Sequence, residues 1–192
     1  MIKGGKVFLK LMRTEDISEV CKLLKSNSAK MISDSFGDKL NAESREKSLR
    51  DILESNTNDR FHFLVYTSKN KKVIGYVFVS NINWIDGSAE LVVIVDDKYQ
   101  GVGYGSIANI ALVNYCFNEL NLKKICSKIR VDNDNIPDRI EGQLIRKVPS
   151  EKNDTGDVIC TDYYYREWLK KDWIKDEQVE KLCNLMNIEK IH

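Results

Sequence analysis

The sequence predicts an α+β domain whose sheet is antiparallel at first and parallel at one later step. Two observations carry this. Three strand-like runs, Phe61–Val65, Val73–Ser80 and Ala89–Val95, follow one another at short spacing with turn residues between them, which favours antiparallel pairing. A long helical run then separates Ala89–Val95 from another strand, Lys124–Val131, and a helical crossover places those two strands parallel.

The elements follow in order. Val7–Met12 is a short strand. Thr14 is a good N-cap with Glu15 and Asp16 in the first turn, and Ile17, Val20, Leu23 and Leu24 recur at helical spacing up to about Lys25. Ser26–Leu40 is polar and gives no clear element. Leu49, Ile52 and Leu53 mark a second helix from about Ala42 to Glu54. Ser68-Lys69-Asn70-Lys71 turns the first strand of the meander into the second, and Asp86-Gly87 is a hairpin signal before the third. Gly103–Leu120 reads as an amphipathic helix with Ile107, Ile110, Val113, Phe117 and Leu120 on one face. Further on, Val158–Tyr165 is a last strand, and Asp176–Met186 is a docked terminal helix through Val179, Leu182, Cys183 and Met186. The chain divides into one domain, 1–175, and a helical tail, 176–192.

Composition excludes several functions. A chain of 192 residues suits one domain, and its 30 Lys+Arg against 29 Asp+Glu leave a net charge of +1. That balance gives no bulk reason to expect nucleic acid or an anionic membrane as partner. The apolar runs are too short to span a bilayer, and MIKGGKVFLKLMR carries no export signal, so the expected location is the cytoplasm. Cys21, Cys116, Cys126, Cys160 and Cys183 are scattered and odd in number, which reads as reduced thiols. With only His62 and His192 beside them, no metal site is expected.

The most informative stretch is Gln100-Gly101-Val102-Gly103-Tyr104-Gly105, lying between the third hairpin strand and the long helix. Glycines directly before a helix let backbone N–H groups crowd around an anion that the helix dipole also favours. The Rossmann fingerprint is excluded, because the third glycine position counted from Gly101 is Ser106. A Walker loop is excluded too, since no lysine stands at the helix start.

The remaining spacing, Gln100, Gly103 and Gly105, resembles the acetyl-CoA signature of the GNAT superfamily of N-acetyltransferases. Other segments are similar to that family as well: Leu9–Asp16 to its opening strand and acid-capped helix, Ala89-Glu90 to its A-E strand, and Asp96-Asp97-Lys98-Tyr99-Gln100-Gly101 to the approach to its loop. Arg130-Val131-Asp132-Asn133, Glu141-Gly142 and Tyr165-Arg166-Glu167-Trp168 resemble later punctuation of the branch that acetylates ribosomal-protein N-termini, to which polyamine acetyltransferases are also similar. The resemblance runs from about residue 7 to 171.

It implies a mixed, mostly antiparallel sheet flanked by helices, with the strands before and after the main helix splayed to admit acetyl-CoA. Backbone N–H groups of Gly101, Val102, Gly103, Tyr104 and Gly105, flanked by Gln100 and Ser106, would hold the diphosphate. The main chain of Val93, Ile94 and Val95 would pair with pantetheine, and a strand N–H near Val95 would serve the oxyanion. Glu90 is the candidate base, an acid in an apolar strand where burial raises a carboxyl pKa. The bland reading of Glu90 is a strand-edge acid paired with a lysine.

The proton donor is harder to carry over. Where the family presents a serine, this chain has Ile136, and the helix expected after Asn133 is cut short at Pro137. Ser127, Asn133 or a tyrosine among Tyr163, Tyr164 and Tyr165 are the candidates. The shortened segment also leaves room for a second copy of the chain to complete the site as a homodimer. The expected function is transfer of an acetyl group to a primary amine, either a protein N-terminus or a small amine. Asp34, Asp38, Glu43 and Glu46 are candidate carboxylates for a polyamine. A CoA-binding regulatory or structural module without turnover is the alternative.

Overall fold

A computed structural model describes residues 1–26, 42–55, 57–130, 143–148 and 163–185. Its strands are β1 (Ile2–Gly4), β2 (Val7–Leu11), β3 (Phe61–Thr67), β4 (Val73–Asn83), β5 (Ser88–Val95), β6 (Lys124–Arg130), β7 (Gln143–Val148) and β8 (Tyr163–Leu169). Among the described residues these make one sheet in the order β1-β2-β3-β4-β5-β6-β8-β7. Every neighbouring pair is antiparallel except β5 and β6, which run parallel across a helical crossover. The expected mixed, mostly antiparallel sheet is therefore present.

Strand alternation sorts the core into two layers. Leu64, Tyr76, Phe78 and Ile94 meet α1 (Ile17–Leu23) and α2 (Ala42–Glu54) through Val20 and Leu49 on one face. Val65, Val77, Val79 and Leu91 meet α3 (Tyr104–Asn118) on the other. The α2 boundaries are those the sequence predicts. The first helix differs: a 3₁₀ turn, Thr14–Asp16, precedes α1, and its start is closed by Asp16 rather than by the expected Thr14 cap. The Asp16 carboxylate accepts the Arg13 N–H at 2.9 Å.

Three further expectations are corrected. β1 was not anticipated; its Gly4 lies so close to α3 that an added Cβ would stand 3.2 Å from Ile107 and 3.3 Å from Ala111. The last strand is β8, starting at Tyr163, and β7 precedes it; residues 149–162, including most of the expected Val158–Tyr165 run, lie outside the described residues. Finally, α3 is not amphipathic. Every residue from Ile107 to Asn114 is buried, polar Asn109 and Asn114 included.

The cover on the outer side of α3 comes from the chain's end. Trp173 in α4 (Lys170–Trp173) packs edge-on against Phe117, ring centres 5.9 Å apart, and Val179 and Cys183 of α5 (Glu177–Leu185) join the same core. Trp173→Ala should therefore cost about 3–5 kcal/mol of unfolding free energy, as for other large aromatic truncations in a core. Urea titration followed by circular dichroism checks this; a loss below ~1 kcal/mol would mean the tail does not hold α3.

Candidate active site

β5 and β6 stay together for only three rungs: Ser88↔Lys124, Ala89↔Ile125 and Glu90↔Cys126. Beyond them β5 continues to Val95 alongside β4, while β6 continues to Arg130 alongside β8. From Leu91 onward, then, the β5 edge that faces β6 has no strand partner among the described residues. The Asp96 N–H donates to the Ile74 carbonyl at 2.9 Å, which sets the parity of the β4–β5 ladder. Even-numbered residues of β5 turn their peptide groups toward β4 and odd-numbered ones toward the gap. Leu91, Val93 and Val95 thus present their main chain to the gap.

Ile94 is the exception to the expected trio. Its carbonyl points at β4, lying 2.5 Å from where a Cβ on Gly75 would sit, and its side chain is buried in the α1–α2 layer. Only a glycine allows β4 and β5 to approach so closely there.

The wide end of the gap carries the crest. After β5, the Asp96 carboxylate accepts the Lys98 N–H at 3.0 Å and a 3₁₀ turn, Asp97–Tyr99, follows. The Gln100 carboxamide donates to the Val95 carbonyl at 3.2 Å and to Asp97 Oδ1 at 3.3 Å, so this side chain braces the turn. Gly101 and Gly103 have φ of 74° and 87°, left-handed values that favour glycine, and a Cβ on either would meet nothing within 4 Å. Gly103 is the N-cap of α3, and that helix has no acid in its first turn. The first-turn N–H groups of Tyr104, Gly105 and Ser106 lack intrahelical acceptors, as at any helix start. Exposed backbone, a positive dipole end and open space together form an anion cradle. Tyr99 and Tyr104 pack edge-on beside it at 6.3 Å, with the Lys72 ammonium 5.4 Å from the Tyr99 ring.

The narrow end carries the ionisable groups. Glu90 is 33% exposed; Lys128 Nζ stands 3.4 Å from its Oε1, and Asn81 Nδ2 donates to its Oε2 at 3.2 Å. The bland reading of Glu90 as a lysine-paired acid describes this resting geometry, and the expected burial is absent. Next to it Cys126 is buried, its thiol pushed up by burial and donating to the Ala89 carbonyl at 3.3 Å. Across the next strand Lys124 lies 3.6 Å from Glu167. Ser127 is buried too, but alternation along β6 turns it to the face opposite Glu90, the side where Ile125 meets α3. The structure therefore brings Glu90 and Cys126 together and leaves Ser127 apart. Asn133 lies outside the described residues.

Sequence reasoning missed one buried polar group on the Glu90 face. His62 in β3 shares a 2.5 Å hydrogen bond between Nδ1 and the Tyr76 hydroxyl and stacks on Phe78 at 5.4 Å. Burial, and secondarily the charge of Arg60, push its pKa down to about 4. A lone imidazole within an apolar strand was the available signal.

The site thus combines a parallel strand pair that parts after three rungs with a glycine crest and a helix N-terminus at its open end. The acetyltransferase (GNAT) domain family matches residues 6–136, and the chain belongs to that family, whose members use acetyl-CoA. It is 33% identical over 81 residues to spermidine N(1)-acetyltransferase of Vibrio cholerae, a match covering 42% of this chain and 45% of that relative. Two solved structures share the fold. A chimera of spermidine N-acetyltransferase from Vibrio cholerae and hSSAT superposes with a TM-score of 0.73 at 22% identity, covering 90% of this chain and all of that one (100%). The Vibrio cholerae spermidine N-acetyltransferase in complex with CoA and spermine gives 0.72 at 21% identity, covering 88% and 98%.

Two outcomes test this site. Gly103→Glu puts an L side chain at a φ of 87°, a strain of about 1–2 kcal/mol even in open space, and a carboxylate in the cradle, so acetyl-CoA binding should weaken at least ~100-fold and well beyond that of Gly103→Ala, which carries the strain without the charge; calorimetric titration reads both, and retained affinity removes the crest from the site. For His62, the folded imidazole stays neutral down to about pH 4 while the unfolded one takes its proton below 6.5. Stability is thus lost as pH falls through that window, by on the order of 3 kcal/mol. The stability advantage of the wild type over His62→Phe should narrow by that amount between pH 6.5 and 4, measured by urea unfolding; a constant difference contradicts a buried neutral imidazole.

Proposed function

We propose that this chain transfers the acetyl group of acetyl-CoA to a primary amine of a polyamine, by direct attack in a ternary complex. The observation that carries the reading is the split between β5 and β6 leading to the Gly101–Gly103 crest. N–H groups of Gly101, Val102, Gly103, Tyr104, Gly105 and Ser106 hold the diphosphate. The Val93 peptide groups on the open edge of β5 pair with the pantetheine arm as an added strand would, while the Val95 carbonyl stays with Gln100. Gln100 shapes the crest from behind.

Glu90 takes the proton of the attacking amine, directly or through one water, while Lys128 swings from the carboxylate as the cationic acceptor arrives. Ser127, on the opposite face, is given no step. The polyamine assignment is supported by the sequence relative's name, by the CoA- and spermine-bound structural neighbour, and by the carboxylates Glu90 and Glu167 at the narrow end. Of the other expected carboxylates, Glu46 is exposed and stands 3.5 Å from Arg50, while Asp34 and Asp38 lie outside the described residues. The cytoplasm is the proposed location, in keeping with Cys21, Cys116, Cys126 and Cys183 as thiols. No helix among the described residues is long and apolar enough to cross a membrane.

The test is release of CoA thiol from acetyl-CoA in the presence of spermidine, an unblocked peptide, or buffer alone. Spermidine should raise the rate well above buffer and exceed the peptide in kcat/KM by at least ~10-fold, with KM rising with salt as expected for a multivalent cation. Preference for the peptide assigns the acceptor to a protein N-terminus. Binding of acetyl-CoA without release by any amine makes the chain a CoA-binding module.

A further inference from the structure

Helix α3 carries a buried polar side chain that the fold leaves unsatisfied. Asn109 is 5% exposed and flanked along the helix by buried Ala108, Ile110, Leu112 and Val113. Its Nδ2 atom is shut off from water and has no hydrogen-bond partner. The other buried asparagine of α3 differs, since Asn114 Oδ1 accepts from Asn118 Nδ2 at 2.8 Å. Buried polar groups nearly always find a partner, because an unmade amide hydrogen bond costs the full desolvation of the group. Asn109 therefore needs a reason.

The faces of α3 locate its carboxamide. Gly4 of β1 lies against Ile107 and Ala111, Tyr115 meets Phe63 of β3 edge-on at 5.7 Å, and Gly105 lies against Val95 of β5. These contacts follow one another round the helix in the order that the strands have in the sheet. At about 100° per residue, Asn109 comes some 40° past Gly105, on the side away from β1, and about 80° short of Phe117, which meets Trp173. The strand after β5 is β6, so Asn109 is directed to the side of β5 where β6 parts from it. Its level follows from the rise of the helix, which runs back along β5 from the crest. From Gly105 to Asn109 is about 6 Å, close to two strand residues at ~3.3 Å each, which brings Asn109 level with Val93. Val93 packs its side chain into the α3 layer, and its peptide groups face the gap. A carboxamide thus stands beside the open edge of β5, between the crest and the last shared rung at Glu90.

Resting on the acetyl-CoA reading above, we propose that Asn109 is a binding residue for the pantetheine arm, its Nδ2 donating a hydrogen bond to an amide carbonyl of the arm after a rotation about χ2. The arm is a chain of amides, each with a carbonyl and an N–H. The β5 edge takes up groups turned toward it, as an added strand would, but groups turned toward α3 need a partner from the helix. An aliphatic side chain in place of Asn109 would suit the surrounding core and leave such a carbonyl dry and unpaired. The carboxamide reverses that balance, since the donor left unmet by the fold is met by the arm. The thioester lies further along, toward Glu90, so Asn109 takes no part in the acyl step.

Asn109→Leu, similar in shape, removes the polar group without opening a cavity. Calorimetric titration with CoA and with 3′-phospho-ADP, which keeps the diphosphate and lacks the arm, isolates what the arm contributes. Affinity for CoA should fall ~5- to 20-fold, while affinity for 3′-phospho-ADP stays within ~2-fold of the wild type. Unchanged affinity for CoA overturns the proposal. Equal losses for both probes overturn it as well, because they mark a displaced crest. Asn109→Ala adds no bulk to the gap and should show the same selective loss; a loss confined to Asn109→Leu assigns the effect to steric blockage and again overturns the proposal. A wild type that binds neither probe would instead defeat the acetyl-CoA reading on which the proposal rests.

Discussion

The structure depends on one constraint: β5 and β6 are bound to each other for three rungs and to other strands thereafter. β4 holds the outer edge of β5, and β8 holds the far edge of β6 through a full-length ladder from Lys124 to Arg130. Neither strand therefore relaxes toward the other when the gap is empty. Among the described residues, no strand takes up the peptide groups on the open edge of β5, which β4 holds in strand geometry. An unpaired backbone group is costly when dry, so such an edge stays in contact with water or with a ligand that takes the missing strand's place. The energetic cost of ordering the edge is met by β4 during folding, and a ligand arriving there binds a surface already shaped for it.

The crest inherits its rigidity from the opposite layer. A helix exposed on one side would be free to rock about its N-terminus, but α3 is enclosed by the sheet, by β1 through Gly4, and by Trp173, Val179 and Cys183 from the end of the chain. Its first turn also rests on β5, with the Gly105 position at ordinary contact distance (3.5 Å) from Val95. The N–H groups that begin the helix are thereby fixed relative to the strand edge. Cradle and gap form one unit, which on the proposed acetyl-transfer reading suits a long two-part ligand with charge at one end and peptide-like pairing along its arm.

This separates what the sequence displays from what it conceals. The meander, the crossover helix and the exact span of α2 are legible because period and turn chemistry are local properties. The crest is legible because Gly101 and Gly103 occupy backbone conformations other residues avoid. The enclosure of α3 is not, because its cover comes from residues some sixty positions later, and polar Asn109 and Asn114 on its turns look solvent-facing until that cover is known. β1 is three residues long next to a glycine turn, too short for a pattern. The roles of Ile94 and Ser127 depend on register: which β5 residues face the gap follows from the β4 ladder, and which side of β6 meets Glu90 follows from a parallel pairing that no periodicity encodes. Asp16 took the cap because a 3₁₀ turn ahead of α1 moved the helix start past Thr14.

The ionic arrangement at the apex fits a site that must exchange partners. Glu90 with Lys128 and Glu167 with Lys124 are pairs of 3.4 Å and 3.6 Å in which the lysines are about half exposed, 52% and 41%. Pairs of this exposure contribute little, ~0–1 kcal/mol each, because solvent screens the attraction and holding two long side chains costs entropy. On the proposed polyamine reading a weak resting pair is an advantage, since Glu90 would exchange one ammonium for another at small net cost. A buried, strongly held pair would resist that exchange by several kcal/mol. The exposure of Glu90, which removes burial as a reason to single it out, thus supplies a different one: it is a carboxylate at the closed end of a preformed gap, held in place by Asn81 and a partner that is readily displaced.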